Sequence, residues 1–343
     1  MRSSFAGRQA MTRAAVLAGI GSCLPPRVVS NHDLAARLDT SDEWIRARTG
    51  VGQRYVATDD LDTSDLAATA GGRALKSAGG QGVDTVVLAT TTPDRLCPAT
   101  APTVAGKLGL GHVAAFDVGA VCTGFLYGLA TASGLIASGA SDRVLVIGAD
   151  VFSRILDPQD RSTSVIFGDG AGAAVLRAGS PDESGALGPF ALGSDGEGME
   201  LITVPTDGLP RAGSGTPRNV ENHFFTMQGK KVFWLAVQRM AQCSQQVLDS
   251  VGWGAGDVDH LVSHQANHRI TRRLADELGI PGERSYSNIA EVGNTAAASI
   301  PLALDHAHAE GVLKPGDRIL LTAFGGGLTW GATALTWPAV EAA

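Results

Sequence analysis

Ala114-Ala115-Phe116-Asp117-Val118-Gly119-Ala120-Val121-Cys122-Thr123-Gly124-Phe125 decides the fold and names the first candidate for chemistry. An apolar run ends at Asp117-Val118, a turn of small residues follows, and Leu126, Leu129, Ala132, Leu135 and Ile136 then recur at helical spacing. The reading is strand, tight turn, helix, with Cys122 at the N-terminus of a helix in an α/β core. Unpaired amides and the helix dipole favour a thiolate there. A dipole worth ~0.3–1 kcal/mol, at most ~2, predicts a thiol lowered from ~8.5 to ~7. Position alone equally suits a buried structural cysteine.

Working outward, the same order occurs twice. Thr85-Val86-Val87-Leu88-Ala89 reads as a buried strand, followed by a helix near 99–108, the strand ending at Val118, the Cys122 helix, and the strand Arg143-Val144-Leu145-Val146-Ile147. In the second half, His260-Leu261-Val262-Ser263 leads into a helix from Arg269 to Leu278. Ser285-Tyr286-Ser287 is a candidate strand, Asn294 opens a helix toward Ala309, and Arg318-Ile319-Leu320-Leu321-Thr322 closes the unit. Asp142-Arg143 parallels Asp317-Arg318, with Cys122 20 residues before Asp142 and Asn294 23 before Asp317. The pattern predicts two similar halves, each a strand–helix alternation around a mostly parallel sheet, with Cys122 and Asn294 at corresponding helix starts. Residues 1–12 read as a mobile extension, 13–180 as the first half, 181–222 as a connector with a surface loop at Asp207–Asn219, and 223–343 as the second half.

The chain has 343 residues, 44% of them apolar and 18% charged, and a net charge of −7, the composition of a water-soluble globular protein. The acidic balance gives no support for nucleic-acid or membrane partners. No uncharged run of eighteen residues reads as a membrane span, and the first dozen residues lack the apolar core of a signal peptide. Cys23, Cys97, Cys122 and Cys243 have neither metal-site nor disulfide-framework spacing, which points to reduced thiols in the cytoplasm.

Four motifs combine: Cys122; His264-Gln265-Ala266-Asn267 where a strand gives way to a helix; Gly293-Asn294-Thr295-Ala296-Ala297-Ala298-Ser299-Ile300-Pro301; and Phe324-Gly325-Gly326-Gly327-Leu328-Thr329-Trp330-Gly331. With Thr40-Ser41-Asp42-Glu43-Trp44-Ile45, Arg48-Thr49-Gly50, Asp160-Arg161 and Phe167-Gly168-Asp169-Gly170-Ala171-Gly172-Ala173, they make the chain resemble a β-ketoacyl-acyl-carrier-protein synthase III. This is the initiating condensing enzyme of the thiolase-like superfamily, and the resemblance runs from about Arg13 to Trp337. It implies a five-layered α-β-α-β-α fold and a Cys122–His264–Asn294 triad. It also implies acyl-CoA and malonyl-acyl-carrier protein as substrates, a cytoplasmic homodimer, and no metal or redox cofactor.

On that resemblance, main-chain amides of Cys122 and Gly326 form an oxyanion hole, while Trp44, Arg48, Arg161 and Asn267 contact CoA. Arg269, Arg272 and Arg273 share a helix face suited to an acidic carrier protein. Cys97 occupies a position that is a bulky aromatic in many bacterial members and closes the acyl pocket across the dimer. A small residue there implies room for longer or branched primers. Gly168-Asp169-Gly170-Ala171-Gly172 lacks the Lys-Ser/Thr of a phosphate loop and reads as a structural turn. Two other functions fit less of the sequence. One is an acyltransferase of the same fold that passes its acyl group to a carrier, hydroxyl or amine without condensation. The other is a silent carrier-binding partner, which has no need of all three triad residues. A degradative thiolase would need a second cysteine near Gly325-Gly326-Gly327, and none is present there.

Overall fold

The computed structural model describes residues 13–205 and 224–341; the expected extension 1–12 and the loop Asp207–Asn219 lie outside these residues. Two sheets carry the architecture. The first has the order Ala14–Cys23, Gly170–Gly179, Arg143–Asp150, Thr85–Ala89, Ala114–Val118, and the second His260–Ser263, Arg318–Gly325, Thr329–Thr336, Ala191–Ser194. The sheets are mixed rather than mostly parallel. Helical crossovers make Thr85–Ala89 parallel to both its neighbours and His260–Ser263 parallel to Arg318–Gly325, but the remaining pairs are antiparallel. Thr329–Thr336, for instance, returns through a tight turn with no helix to reverse it. Ala191–Ser194, inside the expected connector, is an edge strand of the second sheet.

Alternation along the strands builds the layers. Val87, Val144 and Val146 of the first sheet share an inner core with Val262, Ile319 and Leu321 of the second. Between them lie the helices Gly124–Ser138 and Ser299–Ala309, through Phe125, Leu126, Leu129, Ile300 and Leu304. Val86, Leu88, Leu145 and Ile147 point the other way, onto the helices Thr63–Ser77 and Ala101–Lys107. Leu261, Leu320 and Phe324 likewise meet the helices Gly229–Val251 and His268–Leu278. Helix, sheet, helix, sheet, helix are the five layers expected. Val121–Ser138 is an 18-residue uncharged stretch of mean hydropathy 1.4, long and apolar enough to cross a membrane, contrary to the reading above. Here it contains the Cys122 turn and a middle-layer helix, where two sheets supply the apolar surroundings.

A constant offset of 175 residues relates the halves: Thr85 to His260, Arg143 to Arg318, Gly124 to Ser299. Strand register keeps it, since Thr85 faces Val144 and His260 faces Ile319. Ser285 forms only an isolated parallel bridge to Leu261, where the first half has the full strand Ala114–Val118. The 3₁₀ turns Val121–Thr123 and Ala296–Ala298 correspond, so the counterpart of Cys122 is Ala297, three residues beyond Asn294. This accounts for the spacing mismatch of 23 against 20.

Candidate active site

Both turns are forced. Val121 and Ala296 have φ of +46° and +48°, a left-handed conformation that costs a non-glycine residue ~1–2 kcal/mol. Tight packing holds them there. A Cβ on Gly325 would lie 2.9 Å from the Cys122 amide nitrogen, and one on Gly148 would collide with the Ala297 carbonyl. Thr123 and Thr329 share a hydroxyl hydrogen bond that ties the cysteine turn to the glycine turn. The Gly325–Gly327 segment therefore lies against the Cys122 main chain, the proximity an oxyanion hole at Gly326 requires.

Cys122, His264 and Asn294, contributed by three separated segments, line one cavity of about 730 Å³. All three are buried. The helix-dipole expectation for the thiol is overturned: burial, reinforced by the nearby Asp150 carboxylate, pushes the Cys122 thiol up rather than down. A dipole worth at most ~2 kcal/mol does not offset the loss of water around a thiolate. Burial pushes His264 the other way, down to about 3, so its imidazole is neutral. Its Nδ1 shares a 2.6 Å hydrogen bond with the Ser299 hydroxyl. Asn294 is pinned on both sides, with its N–H donating to the Ile166 carbonyl and its own carbonyl accepting from Gly168 N–H, each 2.9 Å. Asn294 Oδ1 accepts from Ala296 N–H at 2.9 Å, which leaves the Nδ2 amide as the group that can donate.

The Gly168–Gly172 motif is structural, but Gly170–Gly172 open the strand Gly170–Gly179 rather than forming a turn; Asp169 just before it is buried and accepts from Ser153 N–H, Ser153 Oγ and Ala57 N–H. Its neighbour Phe167 stacks on Phe152 with centroids 4.4 Å apart beneath the cavity.

At the mouth, the Arg48 and Arg161 guanidinium carbons each lie 5.2 Å from the Trp44 ring centroid. Arg161 also donates to the Asp39 carbonyl. Asn267 caps the helix His268–Leu278, and its side-chain amide donates to the Arg48 carbonyl at 3.0 Å. It thereby positions one arginine of the mouth while lining the cavity itself. Arg48, Arg161, Lys230 and Arg269 line the cavity with no carboxylate among the described lining residues. Arg269 lies over Phe233 at 5.8 Å, Arg272 is exposed, and Arg273 is paired with Glu277 at 3.0 Å, so the arginine patch is narrower than its spacing suggested.

Cys97 is not brought to this cavity; it is exposed on a segment whose neighbour Leu96 is 89% exposed. Sequence reasoning missed Ser299 and Asp150. Ser299 was visible in its motif as a hydroxyl at a helix start, but its contact with His264 spans 35 residues of chain. Asp150 carried one local signal, a lone acid directly after the apolar run Val144–Ala149.

Family models for the 3-oxoacyl-[acyl-carrier-protein] synthase III match residues 116–196, and those for its C-terminal part match 248–337. The chain is 72% identical over 333 residues to β-ketoacyl-[acyl-carrier-protein] synthase III 3 of Streptomyces coelicolor, covering 96% of this chain and 99% of that one. The crystal structure of 3-oxoacyl-(acyl carrier protein) synthase III from Pseudomonas aeruginosa superposes with a TM-score of 0.90 at 54% identity, covering 96% of this chain and 99% of that chain. The priming β-ketosynthase of the R1128 polyketide pathway gives a TM-score of 0.88 at 34% identity, covering 96% and 98%. Sequence, layers and cavity agree, and the chain belongs to the β-ketoacyl-acyl-carrier-protein synthase III family.

Proposed function

We propose that Cys122 takes an acyl group from acyl-CoA and that the chain condenses it with malonyl-acyl-carrier protein, giving β-ketoacyl-carrier protein. The observation that carries this is the convergence of Cys122, neutral His264 and Asn294 on one cavity that Arg48, Arg161, Lys230 and Arg269 also line. The protein is an initiating condensing enzyme, an acyltransferase of fatty-acid or polyketide biosynthesis.

Arg48 and Arg161 pair with CoA phosphates while Trp44 offers its indole face to the adenine. The Cys122 sulfur attacks the thioester carbonyl, and the tetrahedral oxyanion takes hydrogen bonds from the Cys122 and Gly326 amides. The attack starts from a thiol, so the sulfur loses its proton as the bond forms and CoA leaves as its thiol. Arg269, Arg272 and Lys230 then receive the acidic carrier protein. The malonyl C–CO₂⁻ bond breaks, carbon dioxide leaves, and the electron pair becomes an enolate. The mechanism takes the tautomer in which the Ser299 hydroxyl donates to Nδ1 and His264 carries its proton on Nε2. That N–H and the Asn294 amide stabilise the enolate oxygen without placing a cation beside the departing carboxylate. The enolate carbon attacks the acyl-Cys122 carbonyl, and the sulfur leaves and regains a proton. No metal or redox cofactor enters this balance, and no nucleic-acid or membrane partner is invoked.

The enzyme works as a homodimer. Ala114–Val118 is a sheet edge with no strand paired on its outer side among the described residues, and the Leu96–Pro98 segment stands out from the protomer. An open edge and a projecting apolar residue favour pairing with a second copy, with Cys97 reaching the neighbour's acyl pocket. Light scattering at micromolar concentration should give twice the chain mass of 35.2 kDa. Full activity from a monomer would overturn this arrangement.

Incubation with a chain-length series of acyl-CoAs, followed by intact mass with and without malonyl-carrier protein, tests the function and the primer together. We expect a Cys122 adduct that is lost as β-ketoacyl-carrier protein appears. An adduct discharged to carrier, water or amine without chain extension would replace condensation by simple acyl transfer. Each buried methylene is worth ~0.8 kcal/mol, roughly fourfold, so primers of four or more carbons should match or exceed acetyl in kcat/KM. Cys97→Phe should restore the acetyl preference; an acetyl optimum in both proteins would mean Cys97 does not set primer length.

A further inference from the structure

We infer that Asp150 is the positioning residue for decarboxylation, holding the Asn294 turn of one half against the Thr90–Thr92 segment of the other. It ends the strand Arg143–Asp150, is fully buried, and makes no ion pair among the described residues. Its Oδ1 accepts from Thr91 N–H at 2.7 Å, Thr92 N–H at 3.2 Å, Thr90 Oγ at 3.2 Å and Thr92 Oγ at 3.3 Å. Its Oδ2 accepts from Ala297 N–H at 3.0 Å.

A carboxylate has no hydrogen to donate and two oxygens to share, so it alone among side chains of this size satisfies five converging donors. The Ala297 bond carries the functional weight. Ala297 follows Ala296, whose strained backbone donates to Asn294 Oδ1 and so fixes which end of that amide faces the enolate. Burying an unpaired carboxylate is costly, and desolvation pushes Asp150 up to about 6. Its charge also makes the Cys122 thiolate harder to form. A group that hinders the nucleophile while organising the enolate site belongs to the second half-reaction.

Asp150→Asn separates these effects, on the reading that this enzyme decarboxylates malonyl-carrier protein. With its oxygen toward the threonines, the new amide opposes Ala297 N–H donor to donor and breaks that link. At pH 8 we expect decarboxylation to fall ~10–100-fold, less than the ~10²–10³ of losing an aligned donor outright, because the Asn294 amide is displaced rather than removed. Cys122 alkylation by iodoacetamide should instead accelerate, because the buried negative charge beside it is gone. A loosened fold would also slow decarboxylation and expose the buried thiol, so the support lies in a lower midpoint of the alkylation pH profile at an unchanged melting temperature; an unshifted midpoint would mean loosening rather than positioning. Decarboxylation within twofold of wild type would overturn it. Asp150→Glu keeps the charge but displaces both oxygens, and covers the case in which the amide variant does not fold. It should lose decarboxylation with alkylation at the wild-type rate, and unchanged decarboxylation there would equally refute the role. A wild-type enzyme that acylates Cys122 yet releases no carbon dioxide would instead overturn the functional reading, and this inference with it.

Discussion

Cys122→Ala should abolish acyl transfer and condensation, a loss of at least ~10⁴-fold, because the acyl carrier of the reaction is gone. Nothing else in the molecule replaces it. Cys243 is buried in the second half, where burial pushes its thiol up to about 11. Cys23 is buried and raised as well, and Cys97 is exposed away from the cavity. The enolate donors reside on other segments, so the alanine variant should still release carbon dioxide from malonyl-carrier protein without extending a chain. Intact mass after incubation with acyl-CoA checks the first claim and carbon dioxide release the second. Stoichiometric acylation mapped to Cys23, Cys97 or Cys243 would sink the assignment.

His264→Ala and Asn294→Ala should do the converse. Each removes a neutral donor aimed at developing negative charge, so decarboxylation should fall ~10²–10³-fold per variant while Cys122 still acquires an acyl group. The two losses are not expected to add, since both donors serve one oxygen. Burial depresses His264 to about 3, so the ring is already neutral at physiological pH and needs no titration before acting as a donor. Single-turnover loading and malonyl decarboxylation, measured separately, decide the matter. Variants that decarboxylate malonyl-carrier protein at the wild-type rate but fail to self-acylate would reverse the assignment of roles.

The strand and helix order was legible because it rests on local patterns, whereas the five layers and the site roles came from the resemblance that the motifs carry. Buried strands such as Thr85–Ala89 announce themselves by continuous apolar residues, while Cys122, His264 and Asn294 are each weak signals alone and form a triad only through the resemblance of the motifs around them. What stayed hidden depends on long-range packing. The Cys122 shift was read with the wrong sign because a helix N-terminus is visible in sequence, whereas the depth to which two sheets bury it is not. Ser299 and Asp150 act through bonds spanning 35 and 147 residues, which no local spacing reports. Equating Cys122 with Asn294 rather than Ala297 was a three-residue slip, invisible until the two 3₁₀ turns could be aligned.

That corrected alignment shows one plan carrying two different loads. The offset that pairs Cys122 with Ala297 also pairs Gly325 with Asp150, each ending its strand beneath the opposite turn. In one copy the strand ends in a residue with no side chain, leaving room over the cysteine amide for a transient anion. In the other, the matching space holds a permanent anion supplied by the protein itself. The two turns thus differ at two paired positions, Cys122 against Ala297 and Gly325 against Asp150: the filled one braces, and the open one carries the nucleophile.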